Sequence, residues 1–244
     1  MRLKVFALLF WFALGAHAQG QTVTLRDGTE AEVVRSPAPS GPVLIWLAPV
    51  FGEPEQTQAY LEKVAAAGVE TWYVDLVAAR FLPRVKSSQS ELPPSDVSDL
   101  IAAARKVTGR PVAVYGSRRA ALLAIRGAKY WLSHHEQGDG LIGLVLASPS
   151  LYDEAPEPGA MPQIDPAVAD LTLPVYLVQP QLSPAYWWLT MTQEHLAAAG
   201  ARVQTLEIPG VRDGFFRRPE LLDAERPWLE EFPQRLRTAL ENMQ

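Results

Sequence analysis

Apolar and polar positions follow two rhythms along this chain, and the two alternate from one end to the other. Thr22–Leu25 and Glu30–Val34 repeat with period two around Arg26-Asp27-Gly28-Thr29, which predicts a hairpin closed at an Asp-Gly turn. Val43–Leu47 is apolar throughout, the pattern of a strand buried on both faces. Largely apolar runs at Thr71–Asp75, Pro111–Tyr115, Leu141–Ala147 and Val175–Val178, with the mixed segment Val203–Ile208, predict five more strands. Helical segments fill the gaps. One ends at Gly68, one runs from a Ser95 cap to Val107 with Gly109 as its stop, one spans Arg118 to about His135, and one opens at Ser183-Pro184. A last helical stretch begins at Pro219 and is interrupted by Pro227 and Pro233. This order predicts an α/β protein: a mostly parallel sheet of about eight strands flanked by helices, with an N-terminal hairpin. Residues 148–171, rich in proline and acids, read as a short cap or loop insertion over the C-terminal sheet edge, where α/β proteins bind ligands.

The first eighteen residues break the pattern. Arg2 and Lys4 precede an apolar run from Val5 to Leu14, and Ala16-His17-Ala18 ends it with small residues, so residues 1–18 read as a cleaved signal peptide and 19–244 as one domain. The run falls short of the roughly 20 apolar residues that span a bilayer, and no later segment reaches that length. The expected location is periplasmic or secreted, with no transmembrane segment after cleavage. The absence of Cys excludes a disulfide framework and a lipidated cysteine. Without Arg2 and Lys4 the balance is 20 basic to 27 acidic residues, a net charge of −7, which argues against nucleic acid as a partner.

Candidate chemistry centres on Tyr115-Gly116-Ser117-Arg118-Arg119-Ala120, where a strand runs into a helix. Here the chain resembles the α/β-hydrolase superfamily, whose Gly-x-Ser-x-Gly elbow lifts a serine hydroxyl above the sheet. The alignment puts Gly116 and Ala120 at the small positions and Arg118 at the nucleophile, where a permanently protonated guanidinium has no lone pair to attack with. The resemblance places the triad acid after Val175–Val178, but the turn there, Gln179–Pro184, holds no carboxylate. It places the histidine in the turn after the last strand, and Gly210–Phe216 offers Asp213 instead. A hydroxyl, an imidazole and an orienting carboxylate are all required for the relay. The resemblance therefore implies a hydrolase fold that has lost its triad. The alternative is an active serine esterase using Ser117, one residue early, with an unrecognised base. His134, His135 and His195 read as helix-surface residues, and the adjacency of His134-His135-Glu136 suits no metal, so no metal or other cofactor is expected.

Two features suggest binding. Arg118 and Asp213 fall where a working hydrolase brings its catalytic groups together, so an Arg-Asp ion pair is expected. It either fills the old pocket or lends a cation to an anion site at the helix N-terminus. Arg119 is a further binding candidate that strengthens such a site if it turns the same way, although the next helical position is expected to point elsewhere. Tyr186, Trp187 and Trp188, with Phe215 and Phe216, are expected to line a pocket mouth or a docking patch. The occupant is an envelope protein partner or a small acidic ligand. The acidic insertion favours the protein, because it would repel an anion.

Overall fold

The computed structural model describes residues 18–51, 54–135, 139–152, 157 and 160–244. The signal-peptide expectation therefore lies outside the described residues, except for Ala18. The predicted rhythms become strands β1 (Gln19–Thr24), β2 (Glu30–Ser36), β3 (Val43–Leu47), β4 (Glu70–Val74), β5 (Val112–Ser117), β6 (Leu141–Ala147), β7 (Pro174–Pro180) and β8 (Arg202–Ile208). They form one sheet in the order β1-β2-β4-β3-β5-β6-β7-β8. β2 pairs antiparallel with both β1 and β4, while every pair from β4 to β8 is parallel.

Helices cover both faces, because the inner strands β3 to β7 are buried on both. α1 (Pro54–Ala66) and α7 (Trp228–Glu241) lie over one face. There Leu44, Trp46, Ala113, Tyr115 and Tyr176 pack with Leu61, Val64, Phe232 and Leu236. The short helices α2 (Leu76–Ala79) and α3 (Ser88–Glu91), with α4 (Pro94–Thr108), α5 (Ala120–His134) and α6 (Leu189–Ala198), belong to the other face. Here Ile45, Val112, Val114 and Leu144 pack with Leu100, Ile101, Leu123 and Leu196. Alternate residues of β3 and β5 thus serve opposite cores, as the two-residue period requires.

Several boundaries differ from the pattern reading. α4 begins at Pro94 behind an extended Pro93, and Ser95 sits inside its first turn rather than capping it. Proline suits the first helical position, and a residue before proline avoids the helical region, so the pair fixes the start two residues earlier. Gly109 ends α4 in the left-handed conformation at φ 66, as expected. Pro219 does not open a helix. The chain from 219 to 227 curls around the buried Glu225, whose carboxylate accepts the backbone N–H groups of Arg212 at 3.0 Å and Leu222 at 2.8 Å. α7 starts only after Pro227 and carries Pro233 within it. Among the described residues no helix is long and apolar enough to cross a membrane.

Candidate functional site

The parallel strands end at one edge, and the loops that follow them build a cleft there. At its centre β5 stops at Ser117, and the chain reverses through Arg118 and Arg119 before α5 begins. Arg118 has φ 53, a left-handed conformation that costs a residue with a side chain about 1–2 kcal/mol. Hydrogen bonds pin it there: its N–H donates to Ala147 O at 3.1 Å, and its own carbonyl accepts from Ser150 N at 3.1 Å. The turn is tight enough that a Cβ on Gly116 would stand 2.4 Å from the Ala120 carbonyl oxygen. Arg118, not Ser117, is therefore the residue on the tip of a strained elbow. Ser117 remains in the strand, buried on the Tyr115 side, and shares a hydrogen bond with the Tyr115 hydroxyl. Burial pushes that phenol above its ordinary range, partly offset by the charge of Arg217, and its ring stacks on Trp46 at 3.4 Å.

Asp213 comes from the turn after β8 and meets the elbow. Its Oδ2 lies 2.5 Å from Arg118 Nη2, with the guanidinium side chain 54% exposed and the carboxylate 9% exposed. The oxygen makes no well-aligned hydrogen bond, so the contact is an ion pair held by charge rather than by a directed N–H. The acid turn is filled by amides. Gln179 is buried and donates to Pro180 O at 3.1 Å, while Gln181 Oε1 accepts Gly210 N at 3.0 Å and ties this turn to the one carrying Asp213. His134, His135 and His195 each bond the carbonyl four residues earlier in their own helices. Among the described residues no histidine lines the cleft, and no cluster suited to a metal ion is present.

The cleft encloses about 540 Å³. Pro49, Val50 and Phe51 form one wall, Ser150 and Tyr152 another, and Lys86, Arg118, Arg119, Arg217 and Arg218 surround Asp213, the one acid among the described lining residues. Arg119 does not turn away as expected. It stands in the turn before α5, not one step round the helix, so it faces the cleft with Arg118. Lys86, Arg217 and Arg218 were not singled out by pattern. The Arg217-Arg218 pair directly after Phe216 was the available signal, but its closeness to Arg118 arises only through the fold. Arg217 reaches across to donate to Phe51 O at 3.3 Å, and Arg218 donates to the Asp213 carbonyl at 3.2 Å.

The aromatic expectation is corrected. Phe215 is buried, and Phe216 stacks on Tyr60 at 4.6 Å and meets Trp46 edge-on at 5.7 Å, so both point into the core beneath the cleft rather than lining its mouth. Tyr186, Trp187 and Trp188 lie in a 3-10 turn after β7, opened by Ser183, and none lines the cleft. Tyr186 bonds Glu207 at 3.1 Å, and only Trp187, 87% exposed, stands free in solvent.

No family model and no curated protein sequence matches the chain. Solved structures do. Carboxyl esterase 2 from the mycorrhizal fungus Tuber melanosporum superposes with a TM-score of 0.68 at 12% identity, over 96% of this chain and 89% of its own. An esterase from Pyrobaculum calidifontis gives 0.66 at 17% identity, over 93% and 85%. A fungal esterase from Rhizomucor miehei gives 0.65 at 14%, over 95% and 86%. At these identities the likeness is one of fold.

Proposed function

Starting from an α/β-hydrolase fold with an arginine on the elbow, we propose that this is an exported, non-catalytic member of that architecture whose old cleft binds a small acidic ligand. The observation that carries the proposal is Arg118 at φ 53 with its guanidinium paired to Asp213. The strained tip, where a hydrolase needs a nucleophile, bears a permanent cation, and the position that needs a base bears its counter-ion. The cationic lining favours a small anion over a protein partner. The exposed aromatic that would anchor a partner, Trp187, lies away from the cleft.

A second reading keeps the esterase chemistry of the fold neighbours and assigns it to Ser117. It draws support from the presence of Ser117 in the cleft lining. Against it, that hydroxyl sits one residue before the tip and is engaged by Tyr115, with no imidazole lining the cleft among the described residues. The test is direct. Protein purified from the envelope or secreted fraction, with its N-terminus read at Gln19 by mass spectrometry, is treated with a fluorophosphonate probe and with p-nitrophenyl acetate. No label and no turnover above buffer are expected. Turnover that disappears in Ser117→Ala would establish the esterase instead.

A further inference from the structure

We propose that the occupant of this cleft is a dianion carried on an apolar body, with a phosphate monoester as its head. The inference rests on the non-catalytic reading of the same cleft. Its first support is the distribution of ion pairs. Elsewhere the fold neutralises its guanidinium groups with care. Glu70 serves Arg35 and Arg110, Asp96 and Asp27 serve Arg80, and Glu225 serves Arg212. Arg26, Arg84, Arg105, Arg126, Arg226, Arg235 and Arg237 have partners too. Among the described residues the arginines without a carboxylate are Arg119, Arg202, Arg217 and Arg218, and three of these four line this one cleft.

Charge number selects the head group. Lys86, Arg118, Arg119, Arg217 and Arg218 face Asp213 alone, an excess of four positive charges among the described lining residues. A single carboxylate is saturated by one bidentate guanidinium and would leave the remaining cations facing each other. A phosphate monoester carries close to two charges at neutral pH and presents three acceptor oxygens, enough to engage donors from several sides. Two features of the cleft await it. Arg217 lines the cleft with no carboxylate partner, and its buried Nε has no acceptor among the described residues. The first turn of α5, a helix of 15 residues, begins directly behind Arg119 and adds the positive end of its dipole, while its Ala121 and Leu122 N–H groups are already bonded to the Arg118 and Arg119 carbonyls.

The rest of the lining sets the tail. Phe51, 59% exposed at the rim, stands with Pro49, Val50 and Tyr152 beside the cations, a surface for an aromatic or aliphatic body rather than a sugar. Binding involves no covalent step.

The experiment is calorimetric titration of the mature protein with phenyl phosphate, benzoate, phthalate, inorganic phosphate and phenyl acetate. Phenyl phosphate is expected to bind at least ten-fold more tightly than benzoate or inorganic phosphate. Arg217→Gln and Arg119→Gln should each weaken it ten-fold or more, Arg217→Lys should recover part of the loss, and Arg202→Gln should change nothing. If Arg119→Gln fails to fold, the Arg217 series and competition by inorganic phosphate carry the same test. Three results would overturn the inference: benzoate or phthalate binding as tightly as phenyl phosphate, affinity indifferent to Arg217→Gln, or no heat from phenyl phosphate at millimolar concentration. Failure of the underlying reading looks different. It shows as phenol released from phenyl acetate by a Ser117-dependent reaction, whatever phenyl phosphate does.

Discussion

Arg118 makes little sense as a stability device. Its left-handed backbone stores about 1–2 kcal/mol. The ion pair set against it joins a guanidinium 54% exposed to solvent, and pairs of that kind contribute about 0–1 kcal/mol. The two terms nearly cancel, so Arg118→Gly, which relieves the strain and deletes the pair together, should leave the thermal midpoint within about 4 °C of wild type. Differential scanning calorimetry checks this, and a loss of 10 °C or more would show that the pair is structural after all. The elbow was legible in the sequence because Gly116 and Ala120 occupy their spaced small positions, a local signal. The inward direction of Phe215 and Phe216 was not legible there, because a turn residue's direction depends on which sheet face lies beneath it. Trp46 and Tyr60, which capture Phe216, are remote in sequence.

At the scale of elements, the segment from 209 to 227 decides whether Asp213 is held against the elbow. Its anchor is Glu225, whose carboxylate takes Arg212 Nε at 2.8 Å and Nη2 at 2.7 Å besides two backbone N–H groups. Those bonds, led by Arg212, hold the carboxyl at about 2, below its ordinary 4.5. A carboxyl depressed on folding stabilises the protein fully above pH 4.5, and that stabilisation drains away as pH falls toward 2. Glu225→Gln should therefore cost about 3 kcal/mol at pH 7, the loss typical of breaking a buried pair, and markedly less at pH 3. Urea unfolding of both proteins at the two pH values reads the difference, and a gap unchanged by pH would remove Glu225 as the anchor. The predicted helix from Pro219 failed for the same reason the anchor works. Glu225 takes up backbone donors from two segments, so the chain wraps around it, and no periodicity in the sequence announces a carboxylate used as a post. Where the signal was local, as at Asp27-Gly28 and Gly109, turn and helix stop stood where the pattern put them.

For the whole molecule, the sheet order gathers residues 51, 86, 118–119 and 213–218 at one edge, and that gathering is what the sequence concealed. Scattered along the chain, these cations look like ordinary surface charge in an acidic protein. Folded, they make a positive cleft in a body whose net charge, without residues 1–18, is −7. The two fields act over different distances. At 0.01 M salt the screening length is about 30 Å, so an approaching dianion feels the repulsion of the whole body as well as the attraction of the cleft. At 0.15 M it is about 8 Å, and the distant acids vanish while the lining cations remain. Raising salt from the lowest values should therefore remove repulsion about as fast as it weakens attraction, and the affinity for phenyl phosphate should stay nearly flat up to about 0.05 M. Above about 0.1 M only attraction is left to screen, so the affinity should fall, and Arg217→Gln should make that fall shallower. Titrations across this range test the separation of the two fields. A steep, uniform decline from the lowest salt would mean that the body's negative charge never reaches the ligand, and an affinity indifferent to salt throughout would mean that the cleft's cations do not bind it.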